Sequence, residues 1–141
     1  MPQHVAIFTE NEPGKIEKIT SLLHKSEIHI NAISISDSGN YGIIKLLINK
    51  PNEACDTLTK EGFSAKMNDI IAIKSLYGPE GLLTVSSLLN EHAINIEDAY
   101  GFKSQSGETI LIFQVDNTSK AYDLLNKSNI TLLNEQELYN L

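Results

Sequence analysis

The chain repeats itself. Shifted by 66 positions, Ala6, Ile7, Pro13, Ser21, Leu22, Leu23, Ile28 and Ile30 fall on Ala72, Ile73, Pro79, Ser87, Leu88, Leu89, Ile94 and Ile96. One register step later, Ala54, Asp56 and Leu58 fall on Ala121, Asp123 and Leu125. Solenoid units run to about 20–50 residues, so a period this long reads as two copies of one small domain. The copies divide the 141 residues into 1–69 and 70–141. Each is near the lower size limit at which a lone core is stable, so the copies are expected to pack against each other or a second chain. A seam between domains is also a preferred place for a small ligand.

Hydrophobic patterning gives the elements. In the first copy, His4 to Glu10 is a strand, broken by Asn11-Glu12-Pro13-Gly14. Ile16, Ile19, Leu22 and Leu23 then recur at helical spacing, with Asn11 or Glu12 placed to cap that helix and Pro13 suited to its first turn. Strand character returns from Ile28 to Ile35, Asp37 to Asn40 signals a hairpin, and Tyr41 to Ile48 is the next strand. Pro51 opens a second helix with Ala54, Thr57 and Leu58 inward, Gly62 ends it, and Phe63 to Met67 closes the unit. The second copy reads alike: strands at Ile70–Leu76, Ile94–Phe102, Thr109–Val115 and Ile130–Leu133, and helices marked by Leu82, Val85, Leu88 and Leu89 and by Ser119–Lys127. Glu135 to Leu141 is a tail without a clear pattern. The order βαββαβ, twice, predicts an α+β protein of two tandem ferredoxin-like domains, each an antiparallel sheet with helices on one face. Asn68-Asp69 is the sole candidate joint, so the last strand of one copy is expected to run almost directly into the first of the next.

Charge narrows the partners. Eighteen acidic and 11 basic residues give a net charge of −7, which argues against nucleic acid and anionic membranes. Every basic residue is lysine, so no guanidinium fork is available to grip a carboxylate or phosphate. A single cysteine, Cys55, excludes an internal disulfide and reads as a small buried residue of the second helix. No long apolar run is present, and Glu10 comes too early for a signal peptide, so a reducing cytoplasm is the expected location. His4, His24, His29 and His92 are not at metal-ligand spacing and read as surface or half-buried residues. No nucleophile–base ordering appears, and no metal or cofactor is implied.

The remaining chemistry lies in the turn after the first strand. Asn11, Glu12, Pro13, Gly14, Lys15 and Ile16 place a glycine at a helix start beside an asparagine. Helix-start N–H groups hold a carboxylate without arginine, glycine admits a ligand to the backbone, and an asparagine amide serves a ligand ammonium or amide. Taken alone, Pro-Gly after a strand is also an ordinary turn.

Phe8 to Ile16 followed by Ile28-His29-Ile30-Asn31-Ala32 resembles the ACT domain, and Tyr77 to Leu83 followed by Ala93 to Ile96 resembles a second one. The whole chain is similar to stand-alone tandem ACT proteins, including Ser34-Ile35-Ser36-Asp37, Tyr41-Gly42-Ile43 and the closing Glu135 to Tyr139. The resemblance implies a non-catalytic regulatory protein that binds a small metabolite, usually an amino acid, where the first loop of one module meets a neighbouring module. By position the ligand-binding set is Asn11, Glu12, Pro13, Gly14, Lys15, Ile16, Ser36 and Asp37, with Tyr77, Pro79, Glu80 and Gly81 in the second copy. A homodimer and an enzyme partner are expected. The alternative is a ligand-free ACT pair serving as a dimerisation or interaction subunit of an amino-acid metabolic enzyme. The second copy departs from the motif: Tyr77 stands at the Asn11 position and Glu80 at the Gly14 position. The two sites are therefore expected to differ, with the first the better formed.

Overall fold

The structure, a computed structural model, describes every residue except Tyr77, with Pro79 described through its backbone alone. It divides into two compact units. Gln3–Asn68, with Asn140, forms one; Met1–Pro2, Asp69–Tyr139 and Leu141 form the other.

The first unit runs β1 (Gln3–Glu10), α1 (Lys15–Lys25), β2 (Ile30–Ser38), β3 (Tyr41–Ile48), α2 (Pro51–Lys60) and β4 (Ser64–Asp69). The second runs β5 (Ile71–Ser75), a 3-10 turn at Gly78–Glu80, α3 (Gly81–Glu91), β6 (Ile96–Lys103), β7 (Thr109–Val115), α4 (Thr118–Lys127), β8 (Leu132–Leu133) and α5 (Glu135–Tyr139). Each sheet has four strands, ordered β2-β3-β1-β4 and β6-β7-β5-β8. This is the predicted βαββαβ sandwich, formed twice. Only Ile70 separates β4 from β5.

The period-two pattern decides which face each strand buries. Val5, Ile7, Ile44, Leu46 and Ile48 meet Ile19, Leu23, Ala54 and Leu58 of the helices in one core. Ile71, Ile73, Leu111, Phe113 and Val115 meet Val85, Leu89, Ala121 and Leu125 in the other. Burying side chains of this size stabilises by about 1.5–3 kcal/mol each before entropy is charged. The loop closures repeat as well: the Asn49 side chain accepts from the His29 N–H at 2.9 Å, and the Asp116 side chain from the Asn95 N–H at 3.0 Å. The second of these is the first moved along by the repeat.

Several local expectations are corrected. Neither Asn11 nor Glu12 caps α1, and Pro13 is not in its first turn; the helix begins at Lys15 and its cap position is Gly14. The Lys15 N–H donates to the Glu12 carbonyl at 3.4 Å, and Gly14 has φ 91° and ψ −13°. That is the third position of a type II turn, which needs positive φ and so favours glycine. The segment Pro13-Gly14 is therefore a complete turn before the helix. Strand β2 begins at Ile30 and β8 at Leu132, later than the patterning indicates. The tail forms α5, anchored by buried Leu138. His4, expected at or near the surface, is fully buried. Cys55 is half-buried, with its thiol 3.4 Å from the Ala65 carbonyl.

Candidate functional site

The topology puts the end of β1, the start of α1 and the β2–β3 hairpin at one end of the first unit. Antiparallel register sets Thr9 beside Gly42 and Gly42 beside Asp37 across three adjacent strands. Asn11 follows directly, and its amide donates to the Asp37 carboxylate at 2.8 Å. The Asn11 backbone N–H donates to the Asn40 carbonyl at 3.0 Å. Asn11 thus ties the loop to the hairpin by side chain and main chain together.

Of the sequence-predicted residues, the structure brings Asn11 and Asp37 into contact and sets Gly14 and Lys15 at the helix start beside them in the chain. Asn11, Glu12, Pro13, Gly14, Ser36 and Asp37 are exposed. Ile16 is partly buried and packs on the core, so it positions the helix start. The Lys15 N–H is taken by the Glu12 carbonyl, and the next N–H groups of the first turn of α1, at Ile16 and Glu17, have no intrahelical acceptors and lie at the positive end of the helix dipole. Gly42 was not expected to matter here. It lies beneath this junction, where an added Cβ would stand 3.9 Å from the Asn11 Cβ and 3.5 Å from the Ser36 carbonyl oxygen. Both are ordinary contact distances, so the position leaves room for a small side chain.

A cleft of about 250 Å³ opens beside this junction, lined by Phe8, Glu10, Lys15, Lys18, Tyr41 and Phe63 among others. Phe8 stacks on Tyr41 with ring centroids 5.1 Å apart, and the Lys18 ammonium lies 5.5 Å from the centre of the Phe63 ring. Both are contacts between strands or between helix and loop, and only the register reveals them.

The second unit has a cleft of about 190 Å³ at the corresponding place, lined by Ile73, Leu76, Gly81, Thr84, Val85 and Ile130 among others. The correspondence is residue by residue. Phe8, Thr9, Glu10, Lys15 and Lys18 map by 66 positions onto Lys74, Ser75, Leu76, Gly81 and Thr84, and residues 61–64 map by 67 onto 128–131. The linings differ in kind: two lysines and Glu10 in the first become glycine, threonine and leucine in the second. Gly81 is the closest-packed point, because a Cβ there would collide with the Ser75 side chain. The Ser75 hydroxyl donates to the Gly78 carbonyl at 2.5 Å, fixing the 3-10 turn. Glu80 is exposed and does not line this cleft. Tyr77 lies outside the described residues.

At the position of the Phe8–Tyr41 stack the second unit carries an ion pair, Lys74 to Glu108 at 2.7 Å. Hydrogen bonds from Lys74 and Ser106 hold the Glu108 carboxyl below its ordinary range. Tyr100, on the strand face opposite Ile112, has its phenol pushed well above the ordinary value, first by burial and then by the charge of Asp98.

Among the described residues, no cluster of His, Cys, Asp or Glu is arranged to hold a metal ion, and no helix is long and apolar enough to cross a membrane.

A family model for an ACT domain pair matches residues 2–141. The crystal structure of a protein from Bacteroides thetaiotaomicron superposes with a TM-score of 0.90 at 25% identity, covering 99% of this chain and 96% of that one. The ligand-free regulatory subunit of aspartate kinase from Thermus thermophilus superposes with a TM-score of 0.63 at 14% identity, over 90% of this chain and 92% of the other. The regulatory subunit of aspartate kinase from Thermus flavus gives 0.58 at 15% identity, over 89% and 91%. The two Thermus proteins share the fold. No curated protein matches the sequence.

Proposed function

The chain belongs to the ACT domain pair family, and from that premise we propose that it is a non-catalytic regulatory protein of the cytoplasm that binds an amino acid or a related small metabolite at the β1–α1 loop of its first unit. The observation that carries this reading is the 2.8 Å hydrogen bond from Asn11 to Asp37. It holds a carboxylate and an amide oxygen next to a glycine turn and an open helix start, the two kinds of group an amino-acid zwitterion needs. The ligand ammonium is taken by Asp37 and the Asn11 oxygen. The ligand carboxylate is taken by the first-turn N–H groups of α1 with Lys15 beside them, which makes good the lack of arginine. Ligand occupancy then regulates a partner enzyme; that aspartate kinase regulatory subunits share this fold supports such a role.

Calorimetric titration with the twenty amino acids tests the site. At least one binds, and Gly14→Val weakens it at least about tenfold by forcing a β-branched residue to positive φ. Failure of all twenty to bind, or an unchanged affinity in Gly14→Val, overturns the proposal.

One observation favours a second reading, an interaction subunit without ligand. Leu76, Leu82 and Leu83, close together in the chain of the second unit, are 76%, 46% and 72% exposed, apolar surface of a kind a protein partner covers. Thermal melting separates the two: a bound ligand in excess raises the midpoint by mass action, whereas a scaffold responds to no amino acid.

A further inference from the structure

The groups proposed to hold the two ends of an amino acid, Asp37, Asn11 and the start of α1, leave its side chain unassigned. Glu10 and Lys15, on either side of residues 11–14, both line the cleft of about 250 Å³. That cleft therefore opens directly beside a ligand seated on the loop. Its charges balance, Lys15 and Lys18 against Glu10 and Glu61. Among the described residues none of these four is in an ion pair. An acidic side chain would meet the two carboxylates, and a basic one the two ammonium groups, so an uncharged side chain fits best. The apolar part of the lining is aromatic: Phe8, Tyr41 and Phe63 supply it, and no aliphatic side chain does. Phe8 and Tyr41 are 50% and 48% exposed, so their stacked pair keeps open ring surface. Aromatic rings gain from one another beyond the area they bury, in offset or edge-to-face contact. An apolar cavity of about 150 Å³ is enough to hold benzene, so this cleft has room for a single ring.

The second unit has none of the three rings. Lys74, Glu108 and Ile130 stand at the positions of Phe8, Tyr41 and Phe63. The aromatic lining is thus confined to the unit whose loop carries Asn11 and Gly14. We infer that this cleft is the side-chain subsite of the first unit and that the ligand is an aromatic amino acid, its ring set against Phe8, Tyr41 and Phe63. The inference rests on the amino-acid site proposed at the β1–α1 loop and adds to it the class of side chain.

Calorimetric titration of the full chain with L-phenylalanine, L-leucine, L-aspartate and L-lysine tests it. L-Phenylalanine binds at least about tenfold more tightly than each of the other three. Phe8→Lys combined with Tyr41→Glu installs the residues of the second unit and removes two of the three rings. It brings the preference for phenylalanine over leucine down to about threefold or less. Should that variant fail to fold, Tyr41→Ser, at an exposed position, decides in the same titration by lowering the preference at least about threefold. Binding of leucine, aspartate or lysine within about tenfold of phenylalanine overturns the inference and leaves the loop site standing. A preference for phenylalanine that persists unchanged once the rings are removed does the same. Failure of all twenty amino acids to bind overturns the loop site and the inference together.

Discussion

In the first unit Phe8 stacks on Tyr41; in the second, at the same two positions, Lys74 is paired to Glu108. Two side chains on neighbouring strands meet in both units, but one pair is aromatic and the other ionic. The same contrast runs through the cleft beside them, where Lys15 and Lys18 give way to Gly81 and Thr84. The cores show no such divergence: Val5 and Ile7 become Ile71 and Ile73, and Ala54 and Leu58 become Ala121 and Leu125. The two copies agree in what the backbone needs in order to bury its sheet and differ in the side chains that line the clefts.

The largest effects are expected where the units agree. Leu46 and Phe113 occupy equivalent buried positions at 0% and 1% exposure. Leu46→Ala costs about 2–5 kcal/mol and Phe113→Ala about 3–5 kcal/mol in urea unfolding. A much smaller loss at one of them would show that its core is not packed like the other. The next effect breaks the symmetry. Gly81→Ala forces a Cβ into the Ser75 side chain and costs about 1–3 kcal/mol, partly recovered in a Ser75→Ala background. The equivalent Lys15→Ala stays within about 0.5 kcal/mol of wild type in the same unfolding assay. A double-mutant cycle on Phe8 and Tyr41 is expected to give a coupling of about 0.5–1.5 kcal/mol, near the low end because both rings are half exposed.

The smallest effect is one of pH. The Glu108 carboxyl is held below its ordinary range in the folded chain by Lys74 and Ser106. Its stabilising contribution is therefore complete above the unfolded carboxylate range and is lost as pH falls through the lowered folded value. A side-chain carboxyl NMR titration should show Glu108 returning toward the ordinary range in Lys74→Met. The Phe8–Tyr41 pair has no carboxylate and is expected to show no corresponding acid step.

Much of this was legible in the sequence because periodicity records burial. The alternation at Val5 and Ile7, and the helical spacing of Ile19 and Leu23, place a core face without reference to the rest of the chain. Asn11 and Asp37, singled out in the sequence as candidates, are joined in the structure by a hydrogen bond. What patterning does not encode is the path of a tight turn. Pro13 is compatible with a first helical turn and with the second position of a type II turn, and the Lys15–Glu12 hydrogen bond decides for the latter. Nor does it encode register: Phe8 and Tyr41 are far apart in the chain and meet only because β1 and β3 pair with Glu10 opposite Tyr41. The first cleft needs four separate segments to come together and the second needs three. Helix α5 is five residues long, too short for a periodic signal, and is held by buried Leu138 and by the chain's amino terminus on Glu135 at 2.9 Å.

The central claim is a duplicated scaffold with unequal sites. It is tested most directly by amide NMR spectra of the full chain titrated with the twenty amino acids. At least one amino acid is predicted to shift residues 11–18 and 36–37 in a saturable way, with residues 76–84 unmoved. Shifts confined to residues 76–84, or no shifts with any amino acid, would contradict it.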